Sequence, residues 1–175
     1  MISVGIFAKP PRANLVKTRL IPEIGADNAT RIYRHCLQYT VDIVQQSALA
    51  YRFYLSEFCN DDLFQSAEIS VQQGPDLGMR MFNATRDMLS THPGGAIIIG
   101  SDCLDITPGH LHLAAHALAS HDLVLLPALD GGYALIGCTR IEAGLLQNVS
   151  SRTCAVLQLI FCNSPTSIRV QPIRA

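Results

Sequence analysis

Four short stretches of this chain hold residues whose types and spacing can do chemistry. The first is Lys9-Pro-Pro-Arg-Ala-Asn-Leu-Val-Lys-Thr-Arg19. Its cations, Lys9, Arg12, Lys17 and Arg19, all precede the first acid, Glu23. Arginine's fork of donors suits phosphate oxygens and lysine adds a movable point charge, so the stretch reads as a polyanion-binding loop. The plainer reading is a solvated basic loop. No aromatic residues are interleaved, so nothing favours nucleic acid over a small phosphate ligand.

The second stretch is Gln73-Gly-Pro-Asp-Leu-Gly-Met-Arg-Met81. Asp76 suits a helix N-cap or a ligand contact. Gly78 and Arg80 follow it, and a cation in a first helical turn opposes the helix dipole unless an anion or water answers it. The third stretch, Gly100-Ser101-Asp102, follows the apolar run Ala96–Ile99. Thr107-Pro108 is the better cap and first-turn pair for the next helix, which leaves Asp102 for other work. Asp105 reads as a turn residue before that cap. The fourth stretch is Ala128-Leu-Asp130-Gly131-Gly132-Tyr133. Its glycines permit a tight turn and close backbone approach to a ligand, although Asp-Gly is also an ordinary signal for a turn between strands. Two acids, Asp102 and Asp130, facing phosphate-type cations imply a divalent metal and a nucleotide diphosphate. Mg²⁺ or Mn²⁺ takes one or two carboxylates together with phosphate oxygens and needs no full protein cage.

Other chemistries find less support. His112 and His116 share a helical face, but no H-E-x-x-H accompanies them, so zinc is disfavoured. Gly95 to Gly100 has P-loop spacing without the lysine, and its intervening residues read as a strand. No G-x-G-x-x-G follows the first strand and no G-x-S-x-G occurs anywhere, which disfavours a dinucleotide domain and a serine hydrolase.

The elements that must carry these stretches follow from periodicity. Strands are predicted at Ile2–Ala8, Tyr51–Ser56, Ile69–Gln72, around Ile97–Ile99, at Leu123–Pro127, at Tyr133–Cys138 and at Ser167–Val170. Helical spacing marks a segment through residues 29–44 capped by Asp27. Further helices run from Asn60 to about Ala67, from Leu77 to about Ser90 and over Pro108–Ser120. A late one holds Val156, Leu157, Ile160 and Phe161. Strand–helix alternation implies a mainly parallel α/β sheet, and each of the four stretches follows a strand, so all gather at one end of it.

Composition fits one domain over residues 1–175, with 49% hydrophobic and 15% charged residues. A net charge of −1 gives no global attraction to nucleic acid or membrane. The apolar run Met1–Ala8 lacks a basic leader, and no segment has membrane-spanning length. The six cysteines form no C-x-x-C pair, and most fall in predicted helices or strands, a reduced, cytoplasmic style of usage.

Read together, Phe7-Ala-Lys-Pro-Pro-Arg…Val16-Lys-Thr-Arg-Leu20, Gln73-Gly-x-Asp-Leu-Gly-x-Arg-Met81, Ile99-Gly-Ser-Asp102 and Pro127-Ala-x-Asp-Gly-Gly-Tyr-x-Leu-Ile-Gly137 resemble the bacterial radical-SAM/selenodomain-associated transferases. These are glycosyltransferase-like proteins of the nucleotide-diphospho-sugar transferase (GT-A) superfamily. The resemblance implies a Rossmann-like GT-A fold, a mainly parallel central sheet with helices on both faces. Ala8, Lys9, Lys17 and Arg19 would hold the nucleotide and its phosphates, and Asp102 would bind the metal. Gly78 and Arg80, with Asp76, Ser101, Gly131, Gly132 and Tyr133, would line the nucleotide or substrate pocket. Asp130 would face the transferred group or acceptor as candidate base. Family members usually carry a later Asp-x-Asp-Thr-type segment; here the chain closes with Ile168-Arg-Val-Gln-Pro-Ile-Arg-Ala175 and reads as shortened at that end.

The expectation is a metal-dependent glycosyltransferase using a nucleotide-diphosphate sugar. The alternatives are a nucleotidyltransferase acting on a phosphorylated small acceptor and a non-catalytic nucleotide-sugar binder.

Overall fold

A computed structural model describes residues 1–128, 132–142, 146 and 169–172. The described strands form one seven-stranded sheet in the order β3-β2-β1-β4-β6-β5-β7. They are β1 (Ile2–Ala8), β2 (Ala50–Leu55), β3 (Ile69–Val71), β4 (Gly95–Gly100), β5 (Leu123–Pro127), β6 (Tyr133–Cys138) and β7 (Val170–Pro172). Pairings are parallel except those of β6 with β4 and β5. The described helices are α1 (Ile21–Ile24), α2 (Ala26–Gln46), α3 (Leu77–Thr91) and α4 (Pro108–Ala117). This is the expected α/β arrangement, a mainly parallel central sheet with helices on both faces.

Strand side chains alternate between faces, so each central strand feeds two cores. Val4, Ile6 and Ala8 of β1 and Ile97 and Ile99 of β4 pack with Tyr33, Leu37 and Val41 of α2 and Leu111 and Ala114 of α4. Ala96 and Ile98 point the other way, onto Met81, Ala84 and Met88 of α3. The isoleucine run therefore has no polar member because both of its faces are covered.

Several local expectations are corrected. Asp27 does not cap α2; Gly25 stands there at φ 80°, a left-handed value that costs glycine little. Asp27 sits in the first turn instead, where a carboxylate still favours the dipole. The expected helix after Asn60 is only a 3-10 turn at Asp62–Phe64, capped by Asp61 through the Leu63 N–H. Helix α4 ends at Ala117 rather than Ser120. The last strand lies at Val170–Pro172, later than Ser167–Val170. Cys36 and Cys138 lie in α2 and β6, while Cys59 and Cys103 lie in loops, outside the predicted elements as expected. The late helix through Val156 and Phe161 lies outside the described residues. Among the described residues, no helix is long and apolar enough to cross a membrane.

Thr107 caps α4 as expected, in a reciprocal arrangement. Its hydroxyl accepts from the His110 N–H at 3.3 Å, and His110 Nδ1 accepts from the Thr107 N–H at 3.2 Å. Losing such a cap costs about 1 kcal/mol. Thr107→Ala should lower the urea midpoint by that much stability with the m-value unchanged, while Asp102→Ala, which caps nothing, should not.

Candidate functional site

Strands β1 and β4 lie side by side, and the strand order reverses between them, with β2 and β3 to one side and β6, β5 and β7 to the other. A crevice at the carboxyl ends of the strands is the usual ligand position at such a reversal. Register sets Ile6 opposite Ile99 and Phe7 opposite Gly100, so the residues that follow, from Ala8 and from Ser101, emerge as neighbours.

One side chain of α2 ties these two exits together. The Tyr33 hydroxyl accepts from the Lys9 N–H at 2.8 Å, donates to the Lys9 carbonyl at 3.0 Å and lies 3.0 Å from Ser101 Oγ. With its one proton on the carbonyl, the tyrosine accepts from the serine. Tyr33 is 5% exposed and Ser101 is also buried, so the cluster is fixed. Burial raises the Tyr33 pKa above its ordinary value, against the lowering effect of the Ser101 and Lys9 hydrogen bonds. The helical repeat marks Tyr33 as a core residue; its hydroxyl's role was not legible from that spacing.

Beyond this anchor the groups are solvated. Lys17, held at φ 46° before a short 3-10 turn, reaches Asp102 with Nζ 3.2 Å from Oδ2. Their side chains are 25% and 61% exposed, respectively. An ion pair that open contributes at most about 1 kcal/mol. It is held loosely enough for a phosphate or a cation to displace. Arg12 pairs with Glu57 at 3.1 Å. Lys9 and Arg19 are exposed, and neither has an ion pair among the described residues.

On the α3 face a cleft of about 580 Å³ opens at the same end of the sheet, lined in part by Phe7, Met81, Gly100, Asp102, Asp105 and Tyr133. Asp105 is the turn residue expected before the Thr107 cap and also lines this cleft; the apolar lining has no signal in the residue spacing. Gly132 is buried beside this rim, and its carbonyl accepts from the Ala128 N–H at 3.0 Å. Asp130 and Gly131 lie outside the described residues.

The Gln73–Met81 stretch has local partners. Asp76 caps α3, its Oδ1 accepting from the Met79 N–H at 2.8 Å. Arg80 Nε donates to the Gly74 carbonyl at 3.0 Å, so a neutral acceptor answers part of its charge. Gly78 is buried, and a Cβ there would stand 2.0 Å from the Leu146 carbonyl oxygen. Close packing alone accounts for that glycine.

A divalent metal fits this setting only as an open site. Among the described residues no three His, Cys, Asp or Glu side chains gather, so no protein cage forms. Mg²⁺ characteristically keeps waters and takes one or two carboxylates plus phosphates. Asp102, exposed at the strand end with Asp105 in the same cleft lining, meets that demand.

Tyr33, Tyr54 and Tyr133 all have phenol pKa values raised, first by burial, with the Asp87 carboxylate adding to the shift at Tyr54. Above about pH 10 an unfolded tyrosine loses its proton while these keep theirs, so stability must fall as pH rises through that range. Tyr33→Phe should cost about 1–3 kcal/mol at neutral pH, because the Lys9 N–H and Ser101 lose their partner. It should also reduce the alkaline loss. Chemical denaturation at pH 7 and between pH 9 and 11 checks both.

The fold matches solved structures. A candidate nucleotide-diphospho-sugar transferase from Desulfovibrio desulfuricans G20 superposes with a TM-score of 0.85 at 23% identity, over 99% of this chain and 79% of that one. The 4-diphosphocytidyl-2C-methyl-D-erythritol synthase of Anaerococcus prevotii DSM 20548 gives 0.60 at 11% identity, over 99% and 88%. Rv0371c of Mycobacterium tuberculosis H37Rv, solved with manganese, gives 0.56 at 13% identity, over 99% and 88%. At these identities the likeness is one of fold. No curated protein matches the chain. The profile of the family described as "Uncharacterized protein conserved in bacteria (DUF2064)" matches residues 36–153, more than half of the chain, and the chain belongs to that family.

Proposed function

We propose that the protein is a glycosyltransferase-like enzyme that takes a nucleotide-diphosphate sugar, with Mg²⁺ or Mn²⁺, in the crevice between β1 and β4. The observation that carries this reading is the meeting of Lys17 and Asp102 across that crevice, at the end of a cation-rich loop anchored through Lys9 to Tyr33. The finer resemblance to radical-SAM/selenodomain-associated transferases belongs to the same proposal. So do action as one domain over residues 1–175 and a cytoplasmic location.

In this reading the Ala8 backbone, Lys9, Lys17 and Arg19 hold the nucleotide and its phosphates, and Ser101 sets the height of the crevice floor through Tyr33. Asp102 holds the metal, which when bound neutralises charge on the departing diphosphate. Lys17 turns from Asp102 to phosphate oxygens, exchanging a weak ion pair for a charge-assisted one. The acceptor's nucleophilic atom forms its bond to the anomeric carbon as the bond from that carbon to the diphosphate oxygen breaks. The electron pair leaves on the diphosphate, and the acceptor's proton goes to Asp130 as base. Asp76, Gly78 and Arg80 shape the start of α3, whose Leu77 and Met81 line the pocket, and Gly132 and Tyr133 border it at the start of β6, with Gly131 joined to them by the resemblance alone.

Nucleotidyl transfer is the second reading, favoured by the likeness to the 4-diphosphocytidyl-2C-methyl-D-erythritol synthase fold. The two part at the leaving group. Incubation with nucleotide sugars should release nucleoside diphosphate, whereas nucleoside triphosphates with a phosphorylated acceptor would release pyrophosphate. Nucleotide binding without either product would leave the non-catalytic binder.

A thermal-shift panel of nucleotides and nucleotide sugars, each with and without Mg²⁺ or Mn²⁺, tests the site. At least one member should raise Tm by mass action, with a larger rise when metal is present. Asp102→Asn should abolish the metal's increment. An unchanged increment removes Asp102 from the metal site, and no shift with any member removes the nucleotide reading.

A further inference from the structure

The cleft on the α3 face differs in chemistry from the basic loop across the crevice. Phe7, Leu77, Met81 and Ile98 contribute to its lining. Its charged lining groups among the described residues are Asp102 and Asp105, with no lysine, arginine or histidine. Lys17 is paired with Asp102 of this rim.

Tyr133 is aimed into this space by an irregularity in the sheet. Along β6, Ile136 and Cys138 pack on the α3 face and Leu135 on the α2 and α4 face. Strict alternation would send Tyr133 to the same side as Leu135. Instead the pairing with β5 steps from Leu126↔Leu135 to Pro127↔Tyr133, which leaves Ala134 as an extra residue. Ala134 packs toward the α2 and α4 core and Tyr133 packs on the α3 side. Bulges that re-aim a side chain in this way are over-represented beside active sites. The phenol so delivered is on a partly buried residue. It donates to the thioether of Met81 at 3.2 Å, a weak acceptor that a better one would replace.

We infer that this cleft takes the acceptor, and that the acceptor has an apolar face and a hydroxyl or amine group but no phosphate, with the Tyr133 hydroxyl as its hydrogen-bond partner. The inference rests on the transferase reading for the word acceptor, and on the cleft alone for the ligand's chemistry. With Asp102 given to the metal in the proposed function, the charge left in the described lining is Asp105, with no lysine, arginine or histidine; a further phosphate there meets a carboxylate, whereas a hydroxyl or amine finds a partner in that carboxylate or in the Tyr133 phenol. The apolar floor supplies affinity in proportion to the surface it covers. Phosphate recognition is thereby kept on the basic-loop side, so the two substrates are sorted by charge.

Methyl-labelled methionine NMR reads this cleft directly, since Met81 lines it and Met1, Met79 and Met88 do not. Benzyl alcohol and phenyl phosphate are the probes, titrated into the full chain, with uridine and guanosine diphosphates plus Mg²⁺ in parallel samples. Benzyl alcohol should shift the Met81 signal and bind at least tenfold more tightly than phenyl phosphate. Tyr133→Phe should weaken benzyl alcohol several-fold while leaving toluene, which has no hydroxyl, unchanged. Phenyl phosphate shifting Met81 at equal or lower concentration overturns the inference, as does a Met81 signal that neither aromatic alcohol nor toluene moves. Failure of both diphosphates to bind would remove the transferase reading, and the two aromatic probes would still decide the chemistry of the cleft.

Discussion

The parallel pairing of β1 with β4 is the constraint on which the rest of this molecule depends. It joins two strands distant in sequence, buries both on both faces and makes their chains emerge side by side. From that point the strand order runs one way to β2 and β3 and the other way to β6 and β5. The crevice is therefore a product of topology, and any ligand there is contacted by loops rather than by strand faces. Mutual support across the pair explains the composition of Ala96–Ile99: a polar residue at any of those positions would be buried on one face or the other.

Above this rigid base the site is graded in stiffness. Tyr33 locks the first residue of the basic loop to Ser101 with buried hydrogen bonds. Eight residues further on, Lys17 meets Asp102 in an exposed pair of small energetic weight. The backbone positions that set the crevice's width are thus fixed, while the charges that would meet a ligand remain exchangeable. Such a division suits a binding site: preorganised geometry lowers the ordering cost, and weak internal pairing lowers the cost of releasing the charges.

Much of this was legible in the sequence because it rests on short-range rules. The strands at Ile2–Ala8, Leu123–Pro127 and Tyr133–Cys138 follow from apolar runs with clear breaks, and Thr107-Pro108 from capping chemistry. The gathering of the basic loop and Asp102 follows from each coming after a strand of a parallel sheet. What escaped depends on three-dimensional context. Gly25 displaced Asp27 as the α2 cap because a left-handed backbone, not a side-chain acceptor, starts that helix. Nothing in the spacing shows that Tyr33's hydroxyl meets Ser101, since the two are brought together only by packing of α2 on the sheet. The bulge at Ala134 is likewise invisible in a segment that reads as a plain strand, yet it decides which core Tyr133 joins. Gly78, which the resemblance makes a pocket residue, has a packing reason of its own against Leu146.

On the proposed function, the β1–β4 crevice holds a metal-bound diphosphate. A crystal structure with a nucleoside diphosphate and Mn²⁺, collected for anomalous scattering from manganese, tests this most directly. An anomalous peak is expected within coordination distance of the Asp102 carboxylate, with the diphosphate against Lys17 and the Lys17–Asp102 pair opened. Manganese and diphosphate bound away from this crevice, or an intact Lys17–Asp102 pair beneath a bound diphosphate, would contradict it.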